Sequence, residues 1–288
     1  MFKSLLKFFL FLLLIVIAIA IYLNFFGIKT NKFDSLIKNK VNSINQYVDL
    51  EFKEIRIYLN LRELNIVLKL QKPQIILKNE KIKLSKLDLF LSIKSLFSSN
   101  FLLKRSEIAF FKNDIKDLTK ITSVFLPKFI NKKINNIFSS GSIEGKFVIP
   151  FNTDGTIANG YGFSGKVIEA KINLTKDLTI KELTTDISYS NKNEDGNYQL
   201  VIKKGSIYNL NLKDSVINLR HGVSGIKLNT QMQTKGKLDF LQIKKISNLL
   251  SLNINSFNNI NGKINLKTKI DFTLGNKFKL KDLIYSTD

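Results

Sequence analysis

Between Phe8 and Leu23 the chain carries no charged side chain, and this apolar run constrains everything that can come after it. Extended by Asn24, Phe25 and Phe26 and wound as a helix rising about 1.5 Å per residue, the run approaches the ~30 Å hydrocarbon thickness of a bilayer. Each Leu, Ile, Phe or Val in it favours insertion by about 0.3 to 0.6 kcal/mol, and no buried charge opposes them. Residues 1–27 are therefore expected to form a membrane anchor, with Phe8, Leu12, Ile15, Ile19, Tyr22 and Phe25 along the helix. Lys3 and Lys7 precede the run and should stay cytoplasmic, which sends the remainder to the far side of the membrane.

A cleaved signal peptide is the competing reading, because Ala18-Ile19-Ala20 has the small-x-small spacing of a processing site. Against it, the run continues through Ile21, Tyr22 and Leu23, beyond the ~7 to 15 residues of a signal core. Tyr22, Phe25 and Phe26 also fall where an interfacial aromatic belt belongs. The expected placement is single-pass in an inner membrane with the bulk of the chain in the periplasm. Cysteine is absent, which a chain of this length tolerates in an oxidising compartment and which excludes thiol catalysis and cysteine metal sites.

The net charge of +22 raises nucleic acid as a partner, but the basic residues are nearly all Lys. The four arginines, at positions 56, 62, 105 and 220, are scattered. Bidentate recognition of phosphates and guanines is arginine work, so nucleic-acid binding is not expected. A lysine-coated exterior would still be drawn to anionic lipid headgroups, at about 1 kcal/mol per residue close to the surface.

After the anchor, Phe33, Leu36, Ile37, Val41 and Ile44 recur at three- and four-residue spacing, which predicts a short amphipathic helix within 28–47. From Val48 the period becomes two, through Val48, Leu50 and Phe52, then Ile55, Ile57 and Leu59, then Leu64, Ile66, Leu68 and Leu70. These are strands with one apolar face. Ile82 and Leu84 are followed by Leu87, Leu89 and Leu91 with a one-residue slip that predicts a bulge. Residues 114–138 return to helical spacing, with Pro127 between two expected helices, and 240–252 reads as one more short helix. Elsewhere alternation persists to residue 280, so 48–288 is expected to form one elongated antiparallel β domain.

Mainly β structure with a few helices is thus the expected fold class. One-sided strands need their apolar face covered, and a sandwich, a closed barrel and a curled sheet with an apolar groove would each do it. An outer-membrane barrel is disfavoured, because its strands turn apolar residues outward and a helical anchor would hold it in the wrong membrane.

Chemical motifs are few. Gly160-Tyr161-Gly162-Phe163-Ser164-Gly165-Lys166-Val167 has the G-x-G-x-x-G-x-V form of a phosphate-binding loop. A dinucleotide site needs a helix directly after those glycines, whereas Lys166 to Leu174 alternates as a strand, so a glycine-rich inter-strand turn is expected instead. The single histidine, His221, supports neither a metal site nor a catalytic relay and is read as a turn residue. Glu194 and Asp195 fall in an expected turn. No catalytic residue, metal or cofactor is expected, and the chain is read as a non-enzyme.

The order of these features resembles a known family. A basic start, a helix ending Tyr22-Leu23-Asn24-Phe25-Phe26-Gly27, a short amphipathic helix, and strands running through Leu91-Ser92-Ile93-Lys94-Ser95-Leu96-Phe97 into Ile108-Ala109-Phe110 are similar to the N-terminal region of bacterial AsmA-like proteins related to TamB. The stretch from Gly141 to Gly145 and Ile260-Asn261-Gly262-Lys263-Ile264-Asn265-Leu266 resembles the family's long members. The resemblance implies an inner-membrane-anchored groove that passes phospholipids toward the outer membrane. Ile168, Ala170, Ile172, Leu174, Leu210, Leu212, Ile264, Leu266, Ile270 and Phe272 would line it. An edge near Phe278 to Ile284 would be available to further envelope proteins. The chain departs from the family in size, since the long members are several times larger. An anchored envelope scaffold with a dry sandwich core is the alternative.

Overall fold

In the computed structural model, helix and strand obey the two periodicities of the sequence; the structure describes residues 2–288 apart from 45–46, 78–79, 97–101, 123–135, 176–177, 193–194, 223–224, 250–260 and 276–279. The apolar run forms helix α1 (Phe2–Phe25), of which Ser4–Phe25 is long and apolar enough to cross a membrane. Its side chains are largely exposed, Phe8, Leu12, Ile15, Ile19, Tyr22 and Phe25 among them. A signal sequence would meet the same length and composition test. Beyond α1 the chain is mainly antiparallel β-sheet.

The chain divides into two compact units, one of residues 1–111 and 147–158, the other of residues 112–146 and 159–288. That division falls inside the stretch read from sequence as one β domain.

In the first unit, β1 (Ile28–Thr30) pairs with β3 (Glu54–Asn60), β3 with β4 (Asn65–Gln71), β4 with the second half of β6 (Glu80–Ser92), and β6 with β7 (Leu103–Asp114). β2 (Val48–Glu51) pairs with β5 (Gln74–Leu77), which pairs with the first half of β6. The bulge expected between Leu84 and Leu87 is present, because Leu84 opposes Phe110 while Lys86 opposes Ala109, leaving Ser85 as the extra residue. Helix α2 (Asp34–Ile44) supplies the cover. Its Ile37 is buried, and Phe33 and Val41 rest with it against Leu50, Ile55, Ile66, Leu68, Leu70, Leu84, Leu87, Leu89 and Leu91. The amphipathic helix expected within 28–47 is α2, and the strand β1 precedes it. The three residues Ile28–Thr30 give too short a run for periodicity to register.

The second unit carries helix α3 (Ile115–Thr122) and strands β9 (Gly162–Asn173), β10 (Thr179–Lys192), β11 (Asp195–Ile207), β12 (Leu210–Asn211), β13 (Val216–Gly222), β14 (Gly225–Leu238), β15 (Gly262–Leu274) and β16 (Leu280–Thr287). Helix α4 (Phe240–Leu249) lies between β14 and β15, and β8 (Phe138–Pro150) precedes β9. The ladder runs β9-β10-β11-β13-β14-β15-β16, every pair antiparallel, with β12 bridging β11 and β14. The second helix expected after Pro127 and the turn residue Glu194 lie outside the described residues. Asp195 opens β11, and His221 sits in β13 opposite Gly196 and Ile226 rather than in a turn.

Candidate functional site

Strand alternation sorts side chains to two faces, and register decides which of them become neighbours. In the second unit the paired residues link into continuous rows perpendicular to the strands. Phe163, Tyr189, Tyr198, Leu219, Leu228, Phe272 and Leu283 stand opposite one another in turn across seven strands. Two residues along each strand, Gly165, Ile187, Leu200, Ile217, Thr230, Ile270 and Tyr285 form the next row on the same face. Six inter-strand spacings of about 4.8 Å make each row roughly 29 Å long.

Across β9, β10, β11, β13, β14 and β15 the intervening residues form a row of opposite character, Ser164, Ser188, Gln199, Asn218, Asn229 and Asp271, and on β16 the row ends in the exposed Ile284. These side chains bond across the ladder. The Gln199 amide donates to Asn218 Oδ1 at 3.0 Å, the Asn229 amide donates to Asp271, and Arg220 Nε donates to Asn197 Oδ1 at 2.9 Å. One face of the sheet is therefore oily and the other wet.

Cover over the oily face is uneven. Toward one end, Val167, Ala170, Leu183, Ile202 and Leu212 are buried together with Ile115 of α3. Ile172, Ile180, Ile187 and Met232 border that cluster. In the first row, by contrast, Phe163, Tyr189, Leu219, Leu228 and Phe272 are only half-buried, and Tyr198 and Leu283 are exposed. The same apolar face is sealed at one end and half-open along its first row.

Two glycines of the G-x-G-x-x-G stretch find their reason here. Gly160 holds φ +93° in the loop before β9, as a turn glycine does. Gly165 sits within β9 because the Phe163 ring occupies the space a Cβ would need, 2.5 Å from its ideal position, with the Glu144 carbonyl oxygen at 2.6 Å. The Phe163 ring covers Gly145 in the same way, at 2.5 Å. No helix comes after these glycines, so nothing aims N–H groups at a pyrophosphate.

Two tyrosines of the open row, Tyr189 and Tyr198, group with Tyr161. Tyr189 donates to the Tyr161 hydroxyl at 3.4 Å, and its ring lies 5.7 Å from that of Tyr161 and 4.5 Å from that of Tyr198. That hydrogen bond holds the Tyr189 phenol up at about 12 and draws Tyr161 below its ordinary value.

The residues read from sequence as lining fall into three groups. Ala170, Leu210 and Leu212 are buried. Ile172, Ile264, Ile270 and Phe272 are half-buried on the apolar face, with Leu266 exposed beside them. Ile168 and Leu174 depart from the expected face. Glu169 takes a left-handed φ of +51° in a bulge, so Val167 opposes Thr185 and Ala170 opposes Leu183, leaving Ile168 in the phase of Ser164 and Lys166. Leu174 lies past the end of β9 and is exposed. Sequence reasoning missed the aromatic row, although Tyr189 and Tyr198 both read as apolar positions of strands.

The first unit carries a cluster of paired charges, in which Asp88 and Glu107 are buried. Lys86 bridges Glu107 at 2.7 Å and Asp88 at 3.2 Å, Arg105 pairs with Glu63 at 3.1 Å, and the Arg105 guanidinium lies 3.9 Å over the Phe90 ring. Burial raises the Asp88 carboxyl above its ordinary range in spite of Lys86.

Comparison with protein-family models, with curated proteins and with solved structures finds no match to this chain.

Proposed function

We propose that this protein is a membrane-anchored carrier surface for phospholipid acyl chains, held by α1 in an inner membrane with its sheets in the periplasm, and that it assists phospholipid movement toward the outer membrane or outer-membrane assembly, as the resemblance to AsmA-like proteins implies. The observation that carries the reading is the seven-strand apolar row, left half-open on one face while the opposite face is a hydrogen-bonded polar ladder. Exposing a lipid's two acyl chains to water costs about 0.8 kcal/mol per CH₂, in all roughly 20 kcal/mol or more, so a solvent-crossing step without cover is very slow. A ~29 Å row is about twice the depth of one leaflet, half of the ~30 Å core, and gives an extended chain continuous apolar contact. The headgroup stays in solvent at the rim, and transfer needs no bond made or broken.

The adjacent positions Asn218 and Leu219 test this, because they project to opposite faces of β13. A photoreactive amino acid at Leu219 should yield a phospholipid adduct, resolved by mass spectrometry, and the same residue at Asn218 should not. Adducts to protein alone at Leu219 would overturn the carrier reading in favour of an envelope scaffold, for which the sealed cluster around Ala170 and Leu212 already provides a dry core.

A further inference from the structure

The turn between β3 and β4 presents two exposed leucines beside the end of the apolar helix. Leu61 and Leu64 are 41% and 64% exposed, with Arg62 exposed between them. The turn is built by Asn60, whose Oδ1 accepts from the N–H groups of Arg62 at 3.1 Å and Glu63 at 3.3 Å. Its last residue, Leu64, is held at φ +47°, a conformation that an L side chain adopts only at a cost of about 1 kcal/mol or more. Glycine would relieve that strain, so an exposed leucine kept there needs a reason other than folding.

The position of the turn relative to the helix is fixed by bonding. Leu61 donates its N–H to Asn24 Oδ1 on the last turn of α1, a long hydrogen bond of 3.5 Å. β1 comes at once after the helix and pairs Ile28 with Ile57 and Thr30 with Ile55 on β3. Gly27, at φ +65°, lies so close to β3 that a Cβ would come within 2.8 Å of the Ile57 carbonyl oxygen and 2.9 Å of the Tyr58 ring. The acidic residue of the turn is turned aside: Glu63 accepts from Asn65 at 2.8 Å and pairs with Arg105 at 3.1 Å. Two leucines and an arginine remain exposed on a turn that is bonded to Asn24, between Tyr22 and Phe26 on the helix, whose rings stack at 5.2 Å.

We infer that the β3–β4 turn is a second membrane contact, which seats Leu61 and Leu64 in the interfacial layer of the bilayer that α1 spans and places Arg62 among the lipid phosphates. The inference rests on the anchor reading of α1 and is independent of lipid carriage by the second unit. Aromatic and apolar groups settle at the headgroup boundary, and an arginine there extends its charge to the phosphates while its stem stays in the apolar layer.

Because the chain has no cysteine, single-cysteine variants of the full-length protein can be labelled with NBD at one site each. The sites are Leu64→Cys, Leu61→Cys as a second reporter on the turn, Ile15→Cys in the middle of α1, and Lys72→Cys at the opposite end of β4. Each is reconstituted in vesicles of phosphatidylethanolamine and phosphatidylglycerol containing doxyl-labelled phosphatidylcholine. The expected result is blue-shifted emission and loss of intensity at Leu64 and Leu61 with a quencher close to the headgroup, loss at Ile15 with a quencher deep in the chain, and no loss at Lys72. Quenching at Ile15 with none at either leucine would overturn the second contact and leave the anchor standing. No quenching at Ile15 would overturn the anchor and the contact together.

Discussion

Tyr189 and Tyr198 face each other across β10 and β11 with ring centroids 4.5 Å apart, and Tyr198 is exposed. The pair belongs to an apolar row whose members come from seven strands. Its consequences are measurable.

Tyr189 should ionise after its partner Tyr161. Its phenol donates to Tyr161 and is held up at about 12, while Tyr161, which receives that bond, ionises below its ordinary value. An ultraviolet titration of Tyr189→Phe should lose the late step, and Tyr161 should move back up toward 10.0. Unchanged titration in this variant would mean that the two hydroxyls do not interact.

Sealed and open positions on the same apolar face should differ in their cost. Leu212 is 1% exposed, and Leu212→Ala should destabilise the protein by about 2 to 5 kcal/mol. Leu219 is half-buried, and Leu219→Ala should cost under about 1.5 kcal/mol because it leaves no enclosed cavity. Urea denaturation of the two variants checks this, and equal losses would indicate that the row is as closely covered as the cluster under α3.

Gly165→Ala should cost about 1 to 3 kcal/mol, since the new methyl meets the Phe163 ring and the fixed Glu144 carbonyl oxygen. Gly155→Ala should cost less, because nothing lies within 4 Å of that position and only its φ of +84° opposes a side chain. Melting temperatures of the two variants should rank in that order.

Asp88→Asn should be at least as stable as the wild-type protein at neutral pH. Burial raises the Asp88 carboxyl even with Lys86 beside it, so the folded state binds this proton more tightly than the unfolded state does. The group therefore contributes stability that is present below its unfolded pKa and is lost as pH rises through the folded value. Any advantage of the asparagine should shrink on acidification, as the aspartate becomes neutral too. Denaturation midpoints at pH 7 and at pH 4 report the difference, and an asparagine variant that is clearly weaker at pH 7 would show that the Lys86 pairing outweighs burial.

Leu64→Gly should leave stability within about 1 kcal/mol of the wild type, because relief of the left-handed strain offsets the greater freedom of glycine in the unfolded chain. Leu68→Ala, four residues on at a position 0% exposed, should cost about 2 to 5 kcal/mol. Thermal denaturation of both separates a turn leucine that folding does not need from one that it does.

The elements that sequence reveals here are those governed by local period. The apolar run specifies α1, the spacing of Phe33, Ile37 and Val41 specifies α2, and the slip after Leu84 locates the bulge at Ser85 without any knowledge of register. Ile168 goes astray because a glutamate, not a glycine, takes the left-handed position at 169, and residue type carries no signal of it. The apolar rows are half legible. Alternation assigns Leu219 and Leu228 to one face each, but only the pairing of strands brought together along the chain makes them neighbours. Whether such a face is sealed depends on what lies over it, and Ile115 of α3, over fifty residues away from Val167, gives no local sign that it will cover that strand.

Only Phe26 and Gly27 separate α1 from β1. With the helix in a bilayer, the first unit has no leash: it stands like a post set directly in the floor, unable to swing outward or sample the width of the compartment. Anything that meets the first unit has to arrive at that fixed spot, and inserting a flexible spacer after Gly27 would turn a fixed point into a drifting one.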